Sequence, residues 1–587
     1  MSRAAAPDIP AHSMPEHHEP QVGRVVGLAL PAVLYLAIFF ALEPHLLQQF
    51  STAFYFGGAD GYQNVWNLWW VDKAVRELHS LPWHTTYLHH PAGTTLVGHT
   101  LNPFNGLLAI VLLRTMSMVQ AYNTIVVFSF VAAGVSAFSL CRYVTRSFGG
   151  SLLGGALFTF SSFHFMHADG HLQLTALEWI PLFVLCWMRF CDERTWTRAW
   201  AASGALLLVL LCDLYYFAYC VIAGALFVVW RARQTRDTWF LLRPSAAPLL
   251  GAFIVPTLAT AGVLLGTLVY RHSVDPFFGT HSPRELSMDL LSPFVWGYYW
   301  RFRDWVQPLW QPLSRYVTEA SVHLGISVIA LAIYGWRRRS RITVLHGGFW
   351  VLLIAFFGVM ALGPNLKIAG REVGFGHGIS IMGYDRVNPL VLPYAVLWLI
   401  FPPWRLAGVP LRMMVMVQLA VAVLAAAGWH ALMTSRHRGR AIPAAMLLFA
   451  VTLEYLPYPL RTTPAVTPSY VEALRTLPHG AVLDLASNGP QALYYQTVHQ
   501  KPIGFGYISR TPTSVDLADQ ALARSILSGN WAETATAHGF RYVVKRDRAA
   551  EVMMRGVDHA PLAPIDRSRE VFRDGDVVIY EFEREAR

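Results

Sequence analysis

The chain has 587 residues, 54% of them hydrophobic and only 14% charged, against roughly 25% charged in an ordinary soluble domain. That much apolar surface exceeds what a water-soluble core absorbs, and runs such as 25–42 and 411–433 reach the roughly 17–25 residues that cross a hydrocarbon layer. The formal charge of +10 is almost wholly arginine, since Lys73, Lys367, Lys501 and Lys545 are the only lysines. These arginines gather in short connections between apolar runs, which fits retention of positive charge on the cytoplasmic side and argues against nucleic acid as a partner.

Residues 1–23 lack the basic-then-apolar order of a cleavable signal; His12, His17 and His18 suggest metal capture, but the segment reads rather as a disordered cytoplasmic tail. Spans are expected near 25–42, 121–141, 150–165, 173–190, 199–213, 214–231, 245–269, 322–336, 346–362, 411–433 and 441–458, about eleven in all. The Arg-bearing connections 142–149, 191–198, 231–243, 337–345 and 434–440 then share the N-terminal side, the cytoplasm. This assignment treats two shorter apolar runs, 104–118 and 391–403, as re-entrant or interfacial. The outer face receives the connections 43–120, 166–172, 270–321 and 363–410. A membrane module, 24–458, is thus followed by an extracytoplasmic segment, 459–587, of soluble composition. That segment carries β-prone runs at 480–485, 541–545 and 576–582 and helix-like stretches at 468–476 and 515–528. It reads as a small α/β domain that folds separately behind a stiff Pro-rich linker, 457–468. The fold class is therefore an α-helical polytopic protein of the inner (cytoplasmic) membrane with a C-terminal α/β domain outside. Cys141, Cys186, Cys191, Cys212 and Cys220 have neither CxxC nor Cys/His spacing, so they imply no metal centre or disulfide framework.

Chemistry-bearing residues concentrate in the outer connections. Asp60 follows a Gly-Gly-Ala turn, and Trp66, Trp69 and Trp70 beyond it suit a helix lying at the membrane interface. Such a helix holds a carboxylate at the water–lipid boundary; the plainer alternative is that Asp60 only caps the helix. His164, His167, Asp169 and His171 fall within eight residues of a tight hairpin, a set of imidazoles and a carboxylate able to bind a divalent cation or a phosphate. For any single one of these histidines, interfacial hydrogen bonding without a metal is the leading alternative. Glu178 lies inside the next span, where an ionisable group is costly and marks function. Asp213 sits at a third outer tip, followed by Tyr215, Tyr216 and Tyr219. For phosphate, the outer arginines are Arg271, Arg284, Arg301, Arg303, Arg386, Arg405 and Arg412. Arg suits phosphate through its planar fork, and Arg412, opening a span after Pro410, is the preferred ligand, whereas snorkelling to lipid headgroups fits the others at least as well. In 494–510 a Gly-rich loop with Lys and Arg has the make-up of a phosphate cradle, but without a GxxxxGK(S/T) pattern it reads rather as a β-turn connection, with His499 and Tyr507 as acceptor contacts.

The order of Asp60, aromatic helix and second acidic hairpin (His167-Ala-Asp169-Gly-His171) resembles the C-type glycosyltransferase superfamily of polyprenyl-phosphate-dependent membrane enzymes. Asn67-Leu-Trp-Trp70, His90-Pro-Ala-Gly93, Ala121-Tyr-Asn123, Gly170-His-Leu172, Trp179-Ile-Pro-Leu182, Leu362-Gly-Pro364, Pro410-Leu-Arg412 and Tyr494-Tyr-Gln-Thr-Val-His499 are similar to segments of bacterial membrane proteins placed near that superfamily. The resemblance implies a polyprenyl-phosphate-linked sugar as donor and an extracytoplasmic glycan, lipid or protein as acceptor. It implies Asp60 as general base or metal ligand and Asp169 as second acid, with a divalent cation (Mg or Mn) held by Asp60, Asp169 and His171. His167, His171, Glu178, Asp213, Arg386 and Arg412 would face the substrate. The chain departs from the pattern in carrying Asp-Gly at 60–61, where many members have paired acids. The rival function is a non-enzymatic transporter or binding protein for lipid-linked glycans. A transporter is expected to show repeated halves or broken helices meeting at mid-membrane, whereas here the polar groups sit at outer span ends.

Overall fold

The computed structural model describes residues 21–236, 247–279, 281–316, 318–339, 346–381, 384–401, 404, 408–435, 440–529, 531–546 and 568–582. The expected tail, 1–23, lies almost wholly outside them. Four of the described helices are long and apolar enough to cross a membrane: Met118–Thr145, Leu172–Asp192, Leu214–Thr235 and Pro410–Met433. Ala247–Val274 adds a helix of 28 residues. Others on the expected list are shorter, such as Phe148–Thr159 with 12 residues and Ile326–Arg338 with 13; at 1.5 Å per residue these rise about 18–20 Å, against a hydrocarbon layer of roughly 30 Å. The two runs read as re-entrant form helices of 10 and 8 residues, Pro103–Leu112 and Pro393–Ile400, and both fall well short of a crossing.

Met414–Met433 is the axis of the bundle. It is apolar on every face and buried nearly throughout, as such a helix must be. Met118–Thr145, Phe148–Thr159, Ile326–Arg338 and Gly347–Ala361 pack around it. Small residues set the closest approaches: a Cβ on Gly428 would overlap the Leu331 carbonyl, and one on Gly150 the Ala426 carbonyl. Gly150 and Gly154 both face the axial helix in a small-xxx-small spacing.

Beyond the membrane helices, four strands form a sheet in the order Ala481–Asp484, Phe540–Arg546, Val577–Glu581, Arg569–Asp574, the first pair parallel and the others antiparallel. Three of these strands lie where the sequence puts them, as do the helices Ser469–Thr476 and Thr513–Leu527. The helix Gly489–His499 replaces the first part of the expected β-turn connection.

Two expectations change here. Trp66, Trp69 and Trp70 do not lie at a lipid interface; they are buried in one core with Tyr470, Val471, Leu474, Val482, Leu493 and Tyr542 of the C-terminal segment. Trp66 Nε1 also donates to Gln496 Oε1 at 2.6 Å. The C-terminal sheet therefore shares its core with the helix Ala59–Arg76 instead of closing on itself. Nor is 457–468 a free spacer: Thr463–Pro464 pairs antiparallel with Ala53–Phe54, and Thr463 Oγ1 donates to Phe56 O at 2.6 Å. An extended Pro-rich segment leaves backbone groups unpaired, and the first outer connection satisfies them.

Candidate functional site

The helix Ala59–Arg76 starts from an extended Gly58, and Asp60 in its first turn makes no capping bond. Its carboxylate instead points at two other segments. Oδ2 meets His171 Nε2 at 3.1 Å, and Oδ1 accepts from Tyr507 Oη at 2.8 Å. Asn64 Nδ2 donates to both Asp60 O (3.0 Å) and Gly170 O (2.7 Å), locking this turn to the second outer hairpin. Gly170 has φ +121°, and a Cβ there would lie 3.1 Å from Gly61 N, so glycine is required twice over. Gly61 in turn backs directly onto the Phe56 ring, leaving no room for the second acid of an Asp-Asp pair. Burial pushes the Asp60 carboxyl up, but the bonds from His171 and Tyr507 outweigh it and hold the group below the usual carboxylate range. Burial pulls His171 down, and Asp60 with the charge of Glu319 reverses that to a raised value. The two groups therefore favour the ion pair.

The rest of the hairpin divides by environment. His164 is a core residue, stacked on Phe130 at 3.8 Å and bonded to Thr159 O and Thr175 O. Asp169 turns away from Asp60: Oδ1 accepts from Gly57 N at 2.6 Å and Oδ2 from Tyr299 Oη at 2.9 Å. Burial raises its carboxyl despite these bonds. His167 Nδ1 lies 3.4 Å from His171 Nδ1, and burial pulls His167 well below the ordinary imidazole range, leaving the ring neutral. With Glu319 the two histidines form a group whose ligand atoms all lie within 4.8 Å of one another. His167 Nε2 and Glu319 Oε2 are buried without a hydrogen-bond partner among the described residues. Glu319 Oε2 is an orphaned buried acceptor, and a cation would fit here in place of the His171 Nδ1 proton, with Nε2–H kept on Asp60. The set His167, His171 and Glu319 thus differs from the expected Asp60, Asp169 and His171, because Asp169 spends both oxygens elsewhere.

Asp60 and His171 open onto a cavity of about 800 Å³. Leu258, Ala261, Leu265, Leu268, Leu397 and Phe401 line its apolar part, while Asp213, Arg412, His281, Tyr507 and Arg510 line the polar part. Arg412 Nη2 pairs with Glu319 Oε1 at 2.8 Å, and its Nε is buried without a partner among the described residues. Asp213 caps the helix Leu214–Thr235, Oδ1 accepting from Tyr215 N (2.7 Å) and Tyr216 N (3.1 Å). Glu178 is fully buried and accepts from Ser129 Oγ at 2.7 Å, away from the cavity lining. Arg386 lies on the strand Tyr384–Pro389, but its side chain, like the whole of Arg405, is outside the described residues. Arg284 pairs with Glu372, and Arg303 lies between the rings of Tyr298 and Tyr458. His499 is buried in the C-terminal segment, its Nδ1 accepting from Lys501 N at 3.1 Å. The structure thus gathers Asp60, His171, Asp213, Arg412 and Tyr507 at one cavity and leaves Asp169, Glu178 and His499 outside it.

Glu319 and His281 are additions to the sequence-derived set, and Arg510 is the arginine of the Gly-rich 494–510 stretch. Glu319 stands just ahead of the apolar run from 322, the same placement beside the end of an apolar run that singles out Asp60 and Asp213. Arg510 is fixed by Gly279 O and by the pairing of Thr511–Pro512 with Phe277–Phe278. His281 lies in the same outer connection, and burial beside Arg412 and Arg510 pulls its imidazole down to about 4.

Comparison with solved structures finds the archaeal oligosaccharyltransferase AglB from Archaeoglobus fulgidus, in complex with an inhibitory peptide and a dolichol-phosphate. It shares 11% identity over 90% of this chain and 69% of that chain, with a TM-score of 0.44. ArnT from Cupriavidus metallidurans, bound to undecaprenyl phosphate, shares 12% identity over 96% and 99% of the two chains, with a TM-score of 0.39. Likenesses of this degree leave function to be argued from the site. Comparison with curated proteins gives no match. The family model described as "Domain of unknown function (DUF6311)" matches residues 29–376, more than half of the chain, which therefore belongs to that family.

Proposed function

We propose that the protein is an inverting membrane glycosyltransferase that moves a sugar from a polyprenyl-phosphate donor to an acceptor on the extracytoplasmic side. The observation that carries this reading is the cavity, where an apolar arm between membrane helices ends at Arg412, Arg510, Asp60 and His171. An amphipathic ligand with a long hydrocarbon tail and an anionic head matches that division, since a guanidinium binds two phosphate oxygens at once. Asp60 is the general base. An ionised carboxylate offers about four acceptor positions, and His171 and Tyr507 take two. A free position receives the acceptor hydroxyl proton as its oxygen bonds to the anomeric carbon. The bond from that carbon to the phosphate oxygen breaks, and the lipid phosphate leaves with the electron pair, its charge met by Arg412 and Arg510.

The ligand set His167, His171 and Glu319 suits a divalent cation, whose contribution is to neutralise phosphate charge. Two imidazoles and one carboxylate favour Mn²⁺ or Zn²⁺ over Mg²⁺, which prefers all-oxygen coordination. Asp169 is a positioning residue in this scheme, tying the hairpin to Gly57 and Tyr299. The lipid bilayer is the remaining partner. The N-terminus faces the cytoplasm and the C-terminal sheet lies outside, so an alkaline phosphatase fusion after residue 587 is active and one after Arg440 inactive.

The decisive experiment incubates purified full-length protein with a panel of polyprenyl-phosphate sugars and follows free polyprenyl phosphate by mass spectrometry. Release that depends on Asp60 supports transfer. Donor binding without release from any member, with glycan, lipid and peptide acceptors supplied, favours the transporter or binding protein instead.

A further inference from the structure

The tryptophans of the helix Ala59–Arg76 are consumed by the C-terminal core, yet a second aromatic series stands on the outer face. Trp296 and Trp300 stack with ring centroids 4.9 Å apart, Trp300 meets Phe302 edge-on at 5.3 Å, and Phe302 stacks on Trp305 at 4.8 Å. The four rings form one continuous ladder. Its free end is exposed, with Trp305 at 78%, and Phe294 and Leu309 flank it at 51% and 59%. A monomeric water-facing loop has no reason to hold so much apolar surface in ordered stacking.

The ladder's attachment shows what it faces. Trp300 Nε1 donates to Leu453 O at 2.9 Å, Arg301 N donates to Leu456 O at 2.9 Å, and Trp300 bridges to Pro457. It therefore continues from the outer end of the helix Ala441–Glu454, whose Ile442, Met446 and Phe449 form an exposed apolar stripe as on a lipid-facing span. Its 14 residues rise about 21 Å, some 9 Å less than a typical hydrocarbon layer of about 30 Å. An aromatic ledge at that end supplies amphipathic surface at the height where the headgroups begin. Arg301 is exposed beside it, a cation that suits lipid phosphates.

We propose that the ledge from Phe294 to Leu309 docks on the headgroup–acyl boundary of the outer leaflet and holds the outer connection 270–321 at fixed depth. The consequence reaches the site, because the same connection supplies Tyr299 to Asp169 and Glu319 to Arg412. The proposal uses the membrane topology and is independent of the glycosyltransferase reading.

The test places a spin label at Trp305→Cys in full-length protein reconstituted into phosphatidylcholine–phosphatidylglycerol vesicles, and compares its collisions with oxygen and with a water-soluble nickel chelate. Phe449→Cys is the lipid reference and Ala518→Cys, on the C-terminal helix, the aqueous one; spectra of labelled wild type correct for the native cysteines. The expected result is nickel accessibility at Trp305→Cys several-fold below Ala518→Cys, oxygen accessibility above it, and broadening by headgroup-proximal doxyl lipid. Accessibility equal to that of Ala518→Cys, with no effect of doxyl lipid, overturns the proposal and leaves the ladder to a soluble partner. A second label at Leu309→Cys guards against a local effect of replacing Trp305, and an aqueous result there overturns the proposal equally.

Discussion

Asp60→Asn separates base chemistry from structure at one atom. The substitution keeps the size of the side chain, and Asn Oδ1 still accepts from Tyr507, while the negative charge facing His171 is lost. No helix cap is lost, because Asp60 makes no capping bond. The pair with His171 involves side chains 42% and 26% exposed, and an ion pair that open to solvent contributes about 0–1 kcal/mol. Thermal stability in detergent therefore changes little. Catalysis changes much more, since a positioned general base contributes roughly 10²–10⁴-fold, or about 2.7–5.4 kcal/mol of barrier at 1.36 kcal/mol per tenfold. The assay is the rate of polyprenyl phosphate release at saturating donor, beside donor affinity measured separately. A variant with near-normal release refutes the assignment of Asp60. A variant that loses rate and melting temperature together refutes the separation drawn from its geometry.

Other residues carry predictions of the same kind. Arg412→Lys keeps a charge but loses the fork and the unpartnered Nε, so undecaprenyl phosphate binds about 10-fold more weakly or worse, which equilibrium binding to detergent-solubilised protein measures. His167→Gln and Glu319→Gln abolish the stabilisation given by Mn²⁺ or Zn²⁺ in thermal melts, whereas Asp169→Asn preserves it; the opposite pattern restores Asp169 as a ligand. Glu43 is fully buried beside the first outer connection, and burial raises its carboxyl from an ordinary 4.5 to about 8. The folded state then binds more protons than the unfolded one between those values, so stability falls as pH rises through that window; melts at pH 5.5 and 8 show this fall in wild type and a smaller one in Glu43→Gln. Residues 465–587 expressed alone aggregate without a cooperative transition, because Trp66, Trp69 and Trp70 complete their core. In the whole chain Trp66→Ala costs about 3–5 kcal/mol, and a well-folded isolated segment would contradict the shared core.

What the sequence discloses and what it withholds have separate physical causes. Asp60, Asp213 and Arg412 are legible because an ionisable group beside an apolar run is expensive unless it meets a partner or water, and all three line the cavity. Sequence position gives a residue's height in the membrane but not its azimuth. Asp169 and His171 are two residues apart on one hairpin, yet His171 faces Asp60 while Asp169 faces Gly57 and Tyr299. The Arg412–Glu319 pair spans 93 residues, and no local pattern records such a contact. The tryptophans fail for another reason: lipid and a protein core are both apolar, so an aromatic face is equally suited to either. The same ambiguity attaches to Trp300 and Trp305, where the bond from Trp300 to the end of the helix Ala441–Glu454 is the observation on which the docking proposal rests. The helix Gly489–His499 did carry a local signal, Asn488 as cap with a proline at the start, outweighed in the sequence by Gly504 and Gly506. Its position matters most for the site: its far end turns the chain into 500–512, and that strap brings Tyr507 to Asp60, 447 residues away in sequence, and Arg510 to the cavity. A segment that composition marks as a separate soluble domain thereby becomes one wall of a membrane site.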